Sequence, residues 1–400
     1  MKMASSWSTA ADEEYAVNEA FNTLANRLGS LPDYIMVFTS VAYDSRKLME
    51  TLKKLAPDAQ IHGGTSCVGI ITEEGPRCDG GEALGLLGIC DKAGSYGVGA
   101  APRGEDPFAS AAAAVTEALR ESGRPGEIPG LVIMVAAPGY EELQIQGIQD
   151  IVGPDVPIIG GSSADDDFSK PNHQFANGRV YDDALSVAVM FPSVPVGYTF
   201  YSGYTPTELS GIVTRCEGRV LYEIDNRPAA VVYHEWVNEA IQSFASSGGN
   251  VSDATDLYPF GKIVGDAGGM PYYRLVYSIN PEIIKEDKSM TMLADVNEGD
   301  RLYMMYGTKE NLIPRAGRAV QTAMESKSLS ASEVSGVFLT YCAGYMLALK
   351  NEMSSVVDVI DNNTGGKPLL GAFTYGEQGC FRGGENCHGN LMVSTLVFGR

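Results

Sequence analysis

The chain is short of positive charge. Twenty-nine Lys and Arg stand against 50 Asp and Glu, a formal net charge of −21. Nucleic-acid binding needs basic surface to neutralise phosphates, so the balance argues against that class and against anionic membrane surfaces. No run approaches the ~18 apolar residues of a membrane span. Met1 to Thr9 carries one Lys and no apolar core of signal-peptide length. The seven Cys are an odd, scattered set without a Cys-x-x-Cys pair, and they read as free thiols in a reducing cytoplasm. No Gly-Lys-Ser/Thr follows a glycine loop, and no full G-x-G-x-x-G opens a helix, so nucleotide-binding loops are missing. Covalent haem is excluded because no Cys-x-x-Cys-His exists. His234-Glu235 is not a zinc-protease motif, since Asn238 stands where the second His would be.

What remains is a globular chain. Its 400 residues exceed one ordinary domain, and 44% of them are hydrophobic, enough for a large core. Val17, Ala20, Phe21, Leu24 and Leu28 recur at helical spacing, predicting a helix over Ala11 to Leu28 that Gly29 stops. Tyr34 to Phe38 suits a buried strand. A helix with Leu48, Leu52 and Leu55 on one face follows, then Ile61-His62-Gly63-Gly64-Thr65-Ser66. A hairpin leads to a strand over Ala83 to Ile89.

The same order then recurs. Leu131 to Ala136 is a strand, Leu143 and Ile148 lie on a helix, and Ile158-Ile159-Gly160-Gly161-Ser162-Ser163 precedes the strand Ala184 to Met190. Ile35 and Val132 are 97 positions apart, and so are Gly63 and Gly160. Ala83 and Ala184 are 101 apart, giving the second copy a longer hairpin. Two pseudo-repeated βαβ-hairpin units are therefore expected, about 31–125 and 126–215, after an N-terminal helix over 1–30.

Beyond Pro192 the pattern shifts to a second α/β domain, 216–400. Gly218 to Ile224 reads as a strand turning at Asp225-Asn226, and Pro228 sits well at a helix start. Ser246 to Thr255 is a polar loop. Strands are expected around Tyr272 to Tyr277, Met290 to Ala294 and Arg301 to Met305. Arg315 to Lys327 reads as a helix, Val337 to Tyr341 as a strand ending at Cys342-Ala343-Gly344, and Met346 to Ile360 as a helix. Leu369 to Tyr375 and Asn390 to Phe398 close the chain as strands. The fold class is mixed α/β, an N-terminal domain of two units followed by a C-terminal α/β domain, and the halves are expected to pack tightly.

Several segments carry a family likeness: Gly63-Gly64-Thr65-Ser66, Ile159 to Asp166, Tyr222 to Ala229, Glu298-Gly299-Asp300, Cys342-Ala343-Gly344 and Tyr375-Gly376-Glu377, with His388-Gly389-Asn390 a looser match. In this order the chain resembles the FIST family, an N-type domain followed by a C-type domain. The resemblance implies an intracellular sensory protein that binds a small, amino-acid-like ligand, and a cleft between the two halves is the default place for it. It also raises haem as a cofactor, since some relatives bind haem and respond to nitric oxide. The family commonly has Arg where this chain has Tyr345. With no room for a kinase, cyclase or methyl-accepting output domain, signalling through a protein partner in trans is expected.

The residues themselves leave the chemistry open. The two Gly-Gly turns let backbone approach a ligand closely, and Thr65, Ser66, Gly160, Gly161, Ser162 and Ser163 could hold an anion; equally, paired Gly makes a tight turn. Asp165, Asp166 and Asp167 could take an amino group or a cation, or form a solvated loop. Cys342, between a strand and a helix, with Glu377 and His388 on neighbouring strand ends, would make a nucleophile constellation for a hydrolase or acyltransferase; a free Cys on a strand is also ordinary packing. Cys342, Tyr375, Glu377 and Asp165 are candidate ligand walls. His62, His173, His234 and His388 are the imidazoles available to a haem, and Cys380, Cys387 and His388 have no standard metal-ligand spacing.

Overall fold

A computed structural model describes the chain except residues 170, 247–254, 280–284, 382 and 384; the expected loop Ser246 to Thr255 therefore lies almost wholly outside the described residues. One strand order runs three times along the chain. First come β1 (Lys2–Ser8), α1 (Glu13–Leu28), β2 (Tyr34–Thr39), α2 (Ser45–Leu55), β3 (Gln60–Thr65), the hairpin β4 (Ile70–Thr72) and β5 (Gly75–Arg77), and β6 (Leu84–Cys90). Next come β7 (Ser95–Pro102), α3 (Pro107–Glu121), β8 (Leu131–Ala136), α4 (Glu141–Val152), β9 (Ile158–Ser162), the hairpin β10 (Gln174–Ala176) and β11 (Arg179–Tyr181), and β12 (Ala184–Phe191). The third run opens with β13 (Val196–Tyr201) and is then interrupted. The interruption holds β14 (Thr205–Glu217), β15 (Val220–Ile224), β16 (Arg227–Pro228), α5 (Ala229–Ser246), β17 (Phe260–Ala267), β18 (Met270–Val276), β19 (Met290–Thr291) and β20 (Arg301–Tyr306). After α6 (Lys309–Leu312) the run resumes with α7 (Arg315–Ser326), β21 (Gly336–Cys342), α8 (Ala343–Ala348), α9 (Met353–Thr364), β22 (Leu369–Thr374), the hairpin β23 (Glu377–Cys380) and β24 (Asn386–Gly389), and β25 (Val393–Phe398).

In each run the strands before and after the crossover helix pair in parallel: β2 with β3, β8 with β9, β21 with β22. The last strand returns antiparallel to the first of these, β6 on β2, β12 on β8, β25 on β21. Each hairpin then leaves its own sheet for another. The β4–β5 hairpin pairs with β22, β10–β11 with β3, and β23–β24 with β9. The exchange is cyclic. It is sealed by three backbone hydrogen bonds of 3.0 Å, Cys67 N to Phe373 O, Ala164 N to Thr65 O and Tyr375 N to Ser162 O.

The three sheets turn one face inward. Met36, Phe38, Ile133, Val135, Phe338 and Leu370 meet in one apolar core, with Phe38 stacked on Phe338 at 5.7 Å. Burying such faces is the main gain of folding. The outer faces are covered by helices, α1 and α2 on the first sheet, α3 and α4 on the second, α7 and α9 on the third. The interrupting segment folds into its own sheet against α5, with a core of its own around Leu221, Tyr233, Phe260 and Met304. Strand pairing thus crosses the expected 215/216 boundary, since β13 pairs with β25.

Local physics accounts for most elements. Asp12, Asp44 and Asp106 cap α1, α2 and α3 by accepting first-turn backbone N–H groups, and Gly29 closes α1 in the left-handed conformation at φ 70°. Three expectations need correction. The N-terminal segment is not simply a helix: residues 2–8 form β1, whose buried Ser5, Ser6 and Ser8 show no period-two apolar pattern. The helix over Met346 to Ile360 is two helices, α8 and α9, parted by a 3-10 turn at Lys350–Glu352. The strand at Met290 to Ala294 shrinks to Met290–Thr291.

The paired glycines have a steric cause. A Cβ on Gly63 would stand 1.7 Å from Val37 O, and one on Gly160 would stand 2.0 Å from Met134 O, so the parallel strands close only over hydrogen. Gly160→Ala should lower stability by about 3 kcal/mol or leave the protein insoluble. Gly344→Ala, whose Cβ would meet nothing closer than 3.9 Å, should not. Denaturant unfolding of both variants checks this.

Candidate functional site

The Gly-Gly-Thr/Ser-Ser segments end at the junction of the three sheets, and their hydroxyls are already engaged. Thr65 Oγ1 accepts from His173 N at 2.9 Å. Ser66 Oγ donates to Gly69 O and accepts from Phe373 N at 2.8 Å. Ser162 Oγ donates to Glu141 Oε1 at 2.7 Å and accepts from Gln378 Nε2 at 3.2 Å. Ser163 Oγ lies 2.9 Å from Asn172 Oδ1 and accepts from Gln174 Nε2 at 2.7 Å. Gly160 and Gly161 fill close contacts with Met134 O and Thr374. These groups join strands of different runs.

Asp165, expected to face a ligand, is buried and accepts from the Tyr375 hydroxyl at 2.8 Å. Asp166 accepts from Val68 N at 2.8 Å. Phe168, 67% exposed and in the left-handed region at φ 62°, stacks on Tyr375 at 4.1 Å. The acidic cluster thus forms an ordered rim, with Tyr375 as its central contact.

Cys342 and Glu377 do come together. Cys342 ends β21, 8% exposed, its N–H donating to Met392 O at 3.3 Å. Glu377 begins β23, fully buried; Oε1 accepts from Thr374 Oγ1 at 2.8 Å and Oε2 from Met392 N at 2.9 Å. Burial pushes its carboxyl up to about 8, opposed by those donors and by Arg315. Burial, with Glu377 adding to it, pushes the Cys342 thiol up to about 12, against the backbone N–H groups of Tyr345 and Leu391. The six-residue helix α8 does not overcome that desolvation.

His388 does not complete a triad with Cys342. Its ring is fully buried, Nδ1 sits 3.0 Å from Gln378 Nε2, and Nε2 sits 3.1 Å from Leu293 O. It belongs to a lattice that fastens the inserted sheet to α4. Arg219 bonds Glu141 and Glu142 at 2.7 Å each and Asp295 at 3.1 Å, and Arg274 donates to His388 O and Asp295 O. Glu141, though fully buried, is held down at about 2, with the charges of His388 and Arg219 and the Ser162 hydroxyl overcoming desolvation.

Arg315 is the largest fully buried side chain at the junction, and sequence reasoning did not single it out. It opens α7, and Nη1 donates to Ser202 O at 3.0 Å and Leu391 O at 2.9 Å. Its guanidinium lies 4.6 Å from the Tyr341 ring centroid and 4.4 Å from that of Tyr345. Arg315, Arg219 and Glu141 look like surface residues in a linear reading, because charged residues are rarely buried and no motif marks them.

Among the described residues no three His, Cys, Asp or Glu side chains converge so as to hold a metal ion, and Cys380, Cys387 and His388 form no such group. Both His388 nitrogens have protein partners and His173 pairs with Asp182 at 3.1 Å, which takes those two rings from a haem, while Nε2 of His62 and of His234 are buried without a hydrogen-bond partner among the described residues.

The FIST N domain family model matches residues 33–227, and the FIST C domain model matches 229–380. This chain belongs to the FIST family. The two models meet at residue 228, N-type before C-type, in the order expected from sequence. An uncharacterized protein of Methanocaldococcus jannaschii is 35% identical over 96 residues, 24% of this FIST protein and 19% of the relative, so the match spans about a fifth of that relative's length. Among solved structures, a cyanuric acid hydrolase from A. caulinodans overlays on 100% of this chain and 99% of its own at 9% identity and a TM-score of 0.38. Phosphoribosylformylglycinamidine synthase II from Thermotoga maritima overlays on 99% and 71% at 10% identity and a TM-score of 0.23. At these scores neither overlay bears on function. No described helix is long and apolar enough to cross a membrane.

Two outcomes follow from the junction. Glu377 is raised in the folded state, so its contribution is fully present below the ordinary glutamate range and is lost as pH rises towards 8. Glu377→Gln should flatten that loss, which in the wild type amounts to at most about 1.4 kcal/mol per pH unit; urea melts between pH 5 and 9 measure it. Cys342 should label slowly with iodoacetamide near neutral pH in the native protein and rapidly once unfolded, as mass mapping of the modified peptide would record.

Proposed function

We propose that this FIST protein is a cytoplasmic small-molecule-binding sensory protein, with an amino-acid-like ligand held where its N-type and C-type halves meet. One observation carries the reading: at that junction Glu377 is a fully buried carboxyl pushed up to about 8, beside Cys342. Titratable groups displaced this far are concentrated at functional sites. Cys342, Tyr375, Glu377 and Asp165 remain as candidate walls, while the hydroxyls of Thr65, Ser66, Ser162 and Ser163 brace the strands behind them. In this reading the FIST protein passes its ligand state to a signalling protein partner.

The hydrolase or acyltransferase alternative asks Cys342 to be a thiolate. Burial and Glu377 both oppose this, and His388 is engaged elsewhere. Nothing at the junction favours it over binding.

Native mass spectrometry of the purified protein should show a co-purifying small molecule whose mass names its class. Glu377→Gln should weaken rebinding of that molecule by about tenfold, with the protein still folded. Unchanged affinity in Glu377→Gln would move the site away from this junction.

A further inference from the structure

Arg315 is fully buried, yet its guanidinium is only half satisfied. Nη1 is committed to two backbone carbonyls, while Nε and Nη2 have no carbonyl or carboxylate acceptor among the described residues. Among the described residues no carboxylate forms an ion pair with it. Glu377, the acidic group whose charge it feels, is held largely protonated near neutral pH by its own burial. The helix offers no relief, because α7 begins at Arg315 and a helix N-terminus carries positive charge. A buried, uncompensated cation costs several kcal/mol, and a buried N–H without an acceptor costs more. Structures retain such groups where a ligand completes them.

The geometry says what would complete this one. Tyr341 and Tyr345 stand against the guanidinium on adjoining sides, their ring centroids 6.2 Å apart. Nε and Nη2 lie on one edge of the planar group, two parallel donors that match the two oxygens of a carboxylate. The Tyr345 hydroxyl is buried without a hydrogen-bond partner among the described residues, a further donor near the same group, and the Tyr341 hydroxyl lies against the guanidinium.

The exposed position of the segment from Tyr341 to Tyr345 is Gly344. The space where its Cβ would stand is open to 3.9 Å, where it meets Cys342 Sγ, and to 4.0 Å, where it meets Leu391. Leu391 is the residue whose carbonyl holds Arg315 Nη1, and it is kept in the left-handed region at φ 54°. A non-glycine residue held there is strained, and such strain gathers at ligand sites.

We propose that Arg315, beside Tyr341 and Tyr345, is the anchor for the carboxylate of a small organic acid that enters past Gly344 and Cys342. This rests on the ligand-binding reading given above and names the chemical class. The single guanidinium fits one negative charge, and the close packing of the two rings fits a small ligand.

The test is a thermal-shift screen, followed by calorimetry, of the full chain with straight-chain monocarboxylates and amino acids, each paired with its uncharged amide. Acids should raise the melting temperature and their amides should bind at least about tenfold more weakly. Arg315→Gln should abolish the difference between acid and amide. Because that variant removes a core side chain, Tyr345→Phe, which deletes only an unpaired hydroxyl, should weaken acids by about threefold to tenfold while leaving the fold intact. Gly344→Val should slow association without touching the anchor. Acids that bind Arg315→Gln as tightly as the wild type would overturn the anchor while leaving the FIST ligand reading in place. Amides that bind as well as acids would overturn the carboxylate class alone. A screen with no shift from any acid would overturn the proposal, and a co-purifying uncharged molecule sensitive to Glu377→Gln would then show that the ligand reading survives it.

Discussion

Three backbone hydrogen bonds hold the architecture together, because each ties the end of one run's parallel pair to the end of another's. Cys67 reaches Phe373, Ala164 reaches Thr65, and Tyr375 reaches Ser162. For these strand ends to meet, the runs must approach with no side chain between them, which is why Gly64 and Gly161 stand where a Cβ would lie 2.8 Å from His173 O and 2.4 Å from the Thr374 side chain, each on another run. A buried backbone N–H must find an acceptor, and here the acceptor always comes from a different run. None of the three sheets is complete alone, and the hairpins passed round the ring fill each one's open edge.

The junction so created is where polar groups become costly and informative. Serine and threonine hydroxyls there are consumed by internal bonds. The Glu141–Arg219–Glu142 lattice is likewise self-satisfied and fastens the inserted sheet to α4. Against this background the loose ends stand out: Glu377, a buried carboxyl without a cation bonded to it, and Arg315, a buried cation without an anion. Both lie beside Cys342, on the third run, where the inserted sheet departs and returns.

Much of the element order was legible in the residues. Helical periodicity marked α1 and α2, apolar runs marked β2, β8, β12 and β21, and the recurring Gly-Gly segments gave the register of the first two runs. The third run left no such trace, because the inserted residues 205–306 part β13 from α7 and Phe373 stands where the others have Thr65 and Ser162. β1 was hidden by its small polar side chains. Of the candidate site, Cys342, Glu377, Tyr375 and Asp165 were named from sequence, and Tyr345 as a departure from the family, whereas Arg315, Tyr341 and Glu141 were not.

The sequence by itself determined the family, the mixed α/β class, the acidic charge balance and the glycine positions that the strands require. These follow from local pattern and composition, which act over a few residues at a time. Only the tertiary structure decided which hydroxyls are spent, which charges are paired and which remain unsatisfied. Arg315 and Leu391 are 76 positions apart, and Glu141 and Arg219 are 78 apart, so their partners are fixed by the cyclic packing of three sheets and by nothing local. Burial by that packing removes water, and without water an Arg or a Glu depends entirely on the few neighbours the fold supplies.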